Sequence, residues 1–291
     1  MRTRLLPVAA AGVVALSFLA PALASAEPGP SPFGPGGRAA APGLVGVGLT
    51  ADRRLVGFQI ANPGDTWAFG KVSGLRTDRK LVGIDFRVQN GKLYGVGDRG
   101  GVYTLDNEAR AVKVSQLTVA LAGQNFGVDF NPAANRLRVI SDTGQNLRHN
   151  VDDPAAPRTT TADGTLTNPG TPPSTALGVT GAAYTNNDLD AATATTLFDI
   201  DTVNDRVSLQ SPANSGTLAP TGNLGADAGP WAGFDIYHQP SDGSNRGFAA
   251  LSTGGKQRFY RVNVLNGGAS LIGSFPAGRQ VVDVALPLNQ G

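Results

Sequence analysis

The tetrapeptide Gly83-Ile-Asp-Phe86 is the key to the fold of this chain, because close copies of it return along the sequence. The copies are Gly127-Val-Asp-Phe130, Gly233-Phe-Asp-Ile236 and the shorter Val282-Asp-Val284. Their aspartates follow one another at intervals of 44, 106 and 48 residues. The middle interval spans two periods, and Gly181-Ala-Ala-Tyr184 fits the missing copy with Ala183 in place of the aspartate. The sequence therefore contains a repeat of five units.

Each copy is followed by short stretches rich in β-branched and aromatic residues, which Gly, Asn and Asp separate from one another. After the first copy these stretches are Leu93-Tyr-Gly-Val96, Val102-Tyr-Thr-Leu105 and Ala111-Val-Lys-Val114. Four short strands per unit, repeated every 44 to 54 residues, are typical of propeller blades. We therefore predict an all-β fold, a five-bladed β-propeller, with six blades as the alternative.

The two ends of the repeat region complement each other. The first unit, Leu44 to Leu75, has no Asp-bearing strand, whereas the chain ends with a spare strand between Val281 and Leu288. An unpaired strand edge is avoided in most β-proteins. We expect the C-terminal strand to complete the first blade and close the ring, so that the propeller domain covers residues 44–288.

The residues before the repeats have a different character. Met1-Arg-Thr-Arg4 is basic, an apolar run extends from Leu5 to Leu23, and Ala24-Ser-Ala26 is a small-residue cleavage site. This pattern predicts a signal peptide over residues 1–26, and interruption of the run by prolines favours cleavage over membrane anchoring. Residues 27–43 are rich in Pro, Gly and Ala and are predicted to form a linker. The chain is thus expected to be secreted, either extracellular or in the cell envelope.

Charge and composition restrict the partners. The chain has 24 Lys and Arg against 22 Asp and Glu, and removal of residues 1–26 takes away Arg2 and Arg4, which leaves a balanced mature chain. The basic residues form no block along the sequence, which argues against nucleic acid as a partner. No later stretch is long and apolar enough to span a membrane. We expect a monomer that binds an extracellular glycan or protein.

The repeated aspartates are the first candidate site. Asp85, Asp129, Asp235 and Asp283 should stand at similar heights on the innermost strands, around the axis of the ring. They could bind a metal ion or ligand, and Ca²⁺, which takes roughly six to eight oxygen atoms, suits such a cage. Alternatively, each carboxylate could accept an N–H group of the next blade and clip two blades together. Ala183 interrupts the ring, and we favour the clip because it tolerates such a gap better than a metal cage. No cofactor is identified with certainty.

Two further residues are candidate ligand-binding residues. Trp231 lies directly before one inner strand, and His238 is expected to emerge at the end of that strand, near a mouth of the channel. The alternatives are a tryptophan that packs between blades and a histidine exposed on a loop.

Residue types that enzymes need are scarce, and no catalytic residue can be assigned. After the signal peptide the chain has Glu27 and Glu108, and its histidines are His149 and His238. No nucleophile elbow or zinc-ligand pattern is present. We therefore expect a binding module for an extracellular glycan, protein or ion rather than an enzyme. The alternatives are an Asp-based hydrolase or lyase that acts at the channel, with Ca²⁺ if needed, and a purely structural scaffold.

Several longer runs resemble a bacterial family known as domain of unknown function 4394. They are Leu81-Val-Gly-Ile-Asp-Phe86, Gln145-Asn-Leu-Arg148, Gly178-Val-Thr-Gly-Ala-Ala-Tyr-Thr-Asn-Asn187 and Thr196-Leu-Phe-Asp-Ile-Asp201. The resemblance covers about residues 44–288. It implies a secreted, propeller-like β domain and carries over no catalytic residue.

Overall fold

The computed structural model describes Phe33 and residues 43–155, 158–190 and 192–290. The predicted signal peptide and most of the predicted linker lie outside these residues. The strands are β1 (Val45–Thr50), β2 (Arg54–Gln59), β3 (Asn62–Lys71), β4 (Leu81–Arg87), β5 (Lys92–Gly97), β6 (Gly101–Leu105), β7 (Ala111–Gln116), β8 (Phe126–Asn131), β9 (Arg136–Ser141), β10 (Asn146–His149), β11 (Thr160–Ala162), β12 (Thr167–Asn168), β13 (Ser174–Thr175), β14 (Val179–Tyr184), β15 (Leu197–Asp201), β16 (Arg206–Gln210), β17 (Leu218–Asn223), β18 (Ala232–Gln239), β19 (Ser244–Thr253), β20 (Lys256–Val262), β21 (Ala269–Ser274) and β22 (Val281–Ala285). A 3₁₀ turn at Ala213–Ser215 precedes β17. Within the described ranges, no helix could cross a bilayer.

Five four-stranded antiparallel sheets form the blades of a β-propeller. Blade 1 has the strand order β22-β1-β2-β3, blade 2 is β4 to β7, blade 3 is β8 to β11, blade 4 is β14 to β17, and blade 5 is β18 to β21. The inner strands β22, β4, β8, β14 and β18 contact one another in this order, and β18 contacts β22 again. The predicted all-β, five-bladed propeller is confirmed, and the alternative of six blades is not adopted.

The C-terminal strand closes the ring, as predicted. β22 pairs with β1 in antiparallel register, with Val47 opposite Ala285 and Leu49 opposite Asp283. Gln290 extends this contact, because its side-chain Oε1 accepts the backbone N–H of Val45 at 2.7 Å and its Nε2 donates to the carbonyl of Val45 at 3.0 Å. The two ends of the domain are thus joined by strand pairing and by the Gln290 side chain, which forms the same kinds of hydrogen bond with the backbone of Val45.

Glycines of the repeat allow the inner strands to approach one another. A Cβ on Gly83 would lie 2.4 Å from Cγ2 of Val128, and a Cβ on Gly233 would lie 2.4 Å from Cα of Asp283. Real Cβ atoms essentially never approach heavy atoms below 3.0 Å. The Gly of each Gly-x-Asp unit therefore faces the next inner strand at a distance that admits no side chain.

Aromatic side chains fill the spaces between blades. Phe58 contacts Phe259 and Phe275 edge to face between blades 1 and 5, with centroid separations of 5.0 and 5.1 Å. Phe33 belongs to the predicted linker, yet it is buried and meets Phe69 and Phe86 at 5.3 and 5.6 Å. At least this residue of the Pro/Gly/Ala-rich segment is anchored in the core between blades 1 and 2.

The Thr-rich segment after blade 3 is more structured than its composition indicates. Within residues 159–180, β11 is the fourth strand of blade 3, and β12 and β13 form a small hairpin. β11 escapes sequence analysis because three residues of Thr-Thr-Ala carry no apolar alternation.

Candidate functional site

The inner strands define two faces of the disc. We call the face at which these strands begin the entry face and the face at which they end the exit face. The repeated Gly-x-Asp units place the four candidate aspartates inside the ring, on β4, β8, β18 and β22. All four are buried, with 1 to 6% of their surface exposed. Oxygen atoms of Asp85, Asp129 and Asp235 lie within 4.8 Å of one another, so the structure brings the predicted aspartates together into an acidic hub.

Each hub carboxylate accepts a backbone N–H group of the next blade. The bonds run from Ile84 N to Asp283 Oδ2 (2.7 Å), from Phe130 N to Asp85 Oδ2 (2.8 Å), from Tyr184 N to Asp129 Oδ1 (3.2 Å) and from Leu286 N to Asp235 Oδ2 (2.6 Å). The inner edge of a blade has no further strand to pair with, so these donors need such an acceptor. This is the inter-blade contact that the clip hypothesis expects.

Blade 4 has no such carboxylate, because Ala183 occupies the position. Ala183 instead belongs to an apolar cluster with Phe198, Ile200 and Phe234, which joins blades 4 and 5. Apolar packing thus replaces the hydrogen bond to a carboxyl group at one of the five blade junctions.

The hub carboxyl groups hold their protons more tightly than ordinary aspartates. Burial, followed by the charges of neighbouring hub carboxylates, raises the pKa of Asp85 and Asp129 well above the ordinary value. Burial does the same to the pKa of Asp283. Burial raises the pKa of Asp235 to about 6, although the N–H groups of Leu286 and Ile236 oppose the shift. The hub therefore favours neutral carboxyl groups, as expected for like charges in a desolvated space.

Trp231 and His238 do not come together. Trp231 lies at the entry face, directly before β18, and 43% of its surface is exposed. His238 is near the other end of β18, on the exit face, where its Nε2 lies 3.7 Å from Asp188 Oδ2. The intervening strand separates the two residues by roughly 23 Å. His238 is thus mostly buried beside an acid rather than displayed on an exposed loop.

A cavity of about 300 Å³ opens at the entry face, and we call it the mouth cavity. Every blade contributes to its lining, which includes, from blade 1 to blade 5, Arg53, Lys80, Asn125, Thr180 and Trp231. A second cavity of about 400 Å³ adjoins it and shares Asn125 and Thr180. Among the described residues that line the mouth cavity there is no Asp, Glu or His.

Thr180 is the most informative member of this lining. It is buried, and its hydroxyl has no hydrogen-bond partner within the described part of the chain. Most buried polar groups in proteins have a partner. Thr180 thus brings an unused hydrogen-bonding group to the lining of both cavities.

Sequence analysis found Trp231 but missed the rest of the mouth. Lys80, Asn125 and Trp231 each stand directly before an inner strand, whereas Thr180 is the second residue of β14. The signal was therefore present in the repeat itself, one position before three of the four Asp-bearing strands. Sequence analysis missed this signal because Lys80, Asn125 and Trp231 occupy the same position of the repeat but differ in residue type.

A buried polar network between blades 3 and 4 was also missed. The Arg138 guanidinium donates to Tyr184, Asn146 and Asp163, with distances of 3.2, 2.8 and 2.6 Å. Nearby Asp199 is fully buried with no partner for either oxygen in the described ranges, and its burial raises its pKa well above the ordinary value. This network links the two blades beside the hub, and no cavity connects it to the mouth among those described above.

Comparisons with known proteins agree with the fold. A family model described as Domain of unknown function (DUF4394) matches residues 54–285. Solved structures with a similar arrangement include hydrazine synthase from Kuenenia stuttgartiensis, with 12% identity, a TM-score of 0.41 and coverage of 70% of this chain and 53% of that chain. A Bacteroides thetaiotaomicron protein of unknown function has 12% identity, a TM-score of 0.44 and coverage of 87% and 69%. The Dos1 propeller has 9% identity, a TM-score of 0.37 and coverage of 81% and 55%.

These similarities concern the fold alone. The chain spans between 53% and 69% of the length of these three structures. A comparison with curated proteins finds no match for the chain.

Replacement of Asp129 by Ala tests the clip. The variant leaves the N–H group of Tyr184 without its acceptor, so we expect the free energy of unfolding to fall by about 1–3 kcal/mol. Urea denaturation of the parent, Asp129→Ala and the exposed-loop control Asp227→Ala measures the effect. A variant as stable as the parent would mean that relief of carboxylate repulsion outweighs the lost hydrogen bond.

The raised pKa of Asp235 predicts how stability depends on pH. The unfolded aspartate ionises near pH 4, whereas the folded one keeps its proton up to about pH 6. Between these values the folded state binds more protons, so stability must fall as pH rises. Asp235→Asn, which does not titrate at this position, should be less stable overall but should lose less stability as pH rises, because only Asp85, Asp129 and Asp283 of the hub still titrate. Melting temperatures of both proteins from pH 4 to pH 7 provide the test. If the difference in melting temperature between parent and variant stays constant from pH 4 to pH 7, the predicted contribution of Asp235 is contradicted.

Proposed function

The chain belongs to the DUF4394 family, and from this premise we propose that it is a secreted β-propeller that binds an extracellular ligand in its mouth cavity. One observation carries the proposal: all five blades converge on a cavity that combines a partly exposed tryptophan with a buried, unpartnered threonine hydroxyl. A concave site with a few convergent polar groups is the usual form of a ligand site. Secretion rests on the sequence pattern of residues 1–26.

The composition of the lining favours a binding module over an enzyme. Hydrolysis of a glycosidic bond requires two carboxyl groups at the bond that is cleaved, and the described lining of the mouth cavity contains none. The hub carboxylates are buried and accept backbone N–H groups. An Asp-based hydrolase or lyase at the channel therefore has less support than ligand binding.

The hub is a second candidate, as an ion site. Three of its carboxylates offer oxygen atoms within 4.8 Å of one another, and the causes of their raised pKa values include no basic side chain. A cation such as Ca²⁺ would supply the missing positive charge. The hydrogen bonds to the next blade leave lone pairs free on these oxygens.

Variants of the mouth test the leading proposal. The parent is screened against immobilised extracellular polysaccharides and proteins, and each ligand found is titrated against Trp231→Ala and Thr180→Val. Thr180→Val keeps the branched shape and removes only the hydroxyl, so both variants should bind at least about tenfold more weakly. The control is Leu265→Ala, which changes an exposed residue between β20 and β21. Ligand binding unaffected by either mouth variant would refute the proposal, and the lack of any reproducible ligand would favour a scaffold.

Calorimetric titration with Ca²⁺ tests the ion site. After treatment with a chelator, the parent should release or absorb heat on binding and melt at a higher temperature in excess Ca²⁺, because a ligand of the folded state stabilises it. Asp129→Ala should lose both effects, whereas Asp227→Ala should keep them. No heat above background and an unchanged melting temperature in the parent would eliminate the site.

A further inference from the structure

The basic residues of the mouth cavity have no acidic partners. Arg53 comes from the turn between β1 and β2, and Lys80 directly precedes β4. Both are exposed, and neither forms an ion pair within the described part of the chain. The Arg53 guanidinium donates a hydrogen bond to the carbonyl of Arg79, at 3.2 Å. Two positive charges thus stand at one side of the cavity without compensation.

Two further basic residues lie near Arg53 and Lys80 and also form no ion pair within the described part of the chain. Arg76 lies in the loop before β4 and Arg99 in the turn between β5 and β6, so both belong to the entry face of blade 2. Each is exposed and forms no ion pair among the described residues. Other arginines on the same face are paired, as in Arg54 with Asp52 and Arg79 with Asp98. Four basic residues around blades 1 and 2 of the mouth, Arg53, Arg76, Lys80 and Arg99, therefore form no ion pair within the described part of the chain.

The other side of the cavity offers different chemistry. Blade 5 supplies the exposed ring of Trp231, blade 3 the amide of Asn125, and blade 4 the hydroxyl of Thr180. An aromatic face with hydrogen-bonding groups beside it suits a ligand that has both apolar C–H faces and hydroxyl groups. The cavity volume of about 300 Å³ admits a ring-sized unit and not a folded protein surface.

We propose that the mouth cavity selects an acidic saccharide, a sugar unit whose carboxylate faces Arg53 and Lys80 while its ring lies against Trp231. This inference rests on the proposed function, since it names the class of ligand for the same cavity. A carboxylate binds well to arginine and lysine because hydrogen bonds between charged partners are about twice as strong as neutral ones. The sugar hydroxyl groups would meet Asn125 and the unpartnered Thr180.

Matched pairs of saccharides provide the test. Short oligomers of galacturonate, mannuronate and glucuronate are titrated against the full chain, and each is compared with its neutral methyl ester. At least one acidic oligomer should bind about tenfold or more tightly than its ester. Lys80→Gln and Arg53→Gln should each lower affinity for the acid about tenfold and leave affinity for the ester unchanged. Lys92→Gln, at the exit-face end of β5, is the matched control and should change neither affinity.

The outcomes separate this inference from the proposal beneath it. Equal affinity for acid and ester, or an acid affinity that Lys80→Gln and Arg53→Gln leave intact, overturns the acidic ligand. If Trp231→Ala still abolishes binding in that case, the mouth remains a ligand site. Binding of poly-glutamate as tight as that of the acidic oligomers overturns the assignment to a saccharide. Failure to bind any saccharide of the panel overturns the inference. The screen of polysaccharides and proteins described above then decides whether the mouth cavity is a ligand site.

Discussion

The fold depends on hydrogen-bond acceptors for the backbone N–H groups at the inner edge of each blade. These groups face the hub, where no further strand can pair with them, and a buried donor without an acceptor is costly. The Gly-x-Asp unit supplies an acceptor for these N–H groups. Its glycine lets the next inner strand come close, and its aspartate, two residues later, accepts the N–H group of that strand. The aspartate contact repeats at four of the five blade junctions; Ala183 replaces the aspartate in blade 4, and Asp283 of β22 accepts the N–H group of Ile84 on β4.

These hydrogen bonds give the hub a structural role, and the recognition that we propose lies at the entry face. Carboxyl groups gathered in a desolvated ring raise one another's pKa, and each of them accepts a backbone N–H group of the next blade. The entry face has the opposite character, because its unpaired basic residues, its aromatic ring and its free hydroxyl are held by the ends of rigid strands. A scaffold of this kind can vary its mouth residues without disturbing the ring, since they lie one or more positions outside the Gly-x-Asp units.

The parts of this structure that the sequence could predict are those fixed by local, repeated chemistry. The period of the Gly-x-Asp units predicted five blades. The strand that the first unit lacks and the extra strand at the C-terminal end together predicted that β22 closes the ring. What could not be predicted depends on the relative placement of distant segments. Phe33 looked like linker because its anchoring partners, Phe69 and Phe86, are remote in sequence. Arg53 and Lys80 converge only when blades 1 and 2 are placed side by side, and the length of β18 decides that Trp231 and His238 lie on opposite faces.

Hydrogen exchange of the native protein measures the central interaction directly. The amides of Ile84, Phe130, Tyr184 and Leu286 donate to carboxylates of the preceding blade, so they should exchange only when the whole propeller unfolds. Rapid exchange of these four amides, at the rate of an exposed strand edge in an otherwise protected protein, would contradict the account.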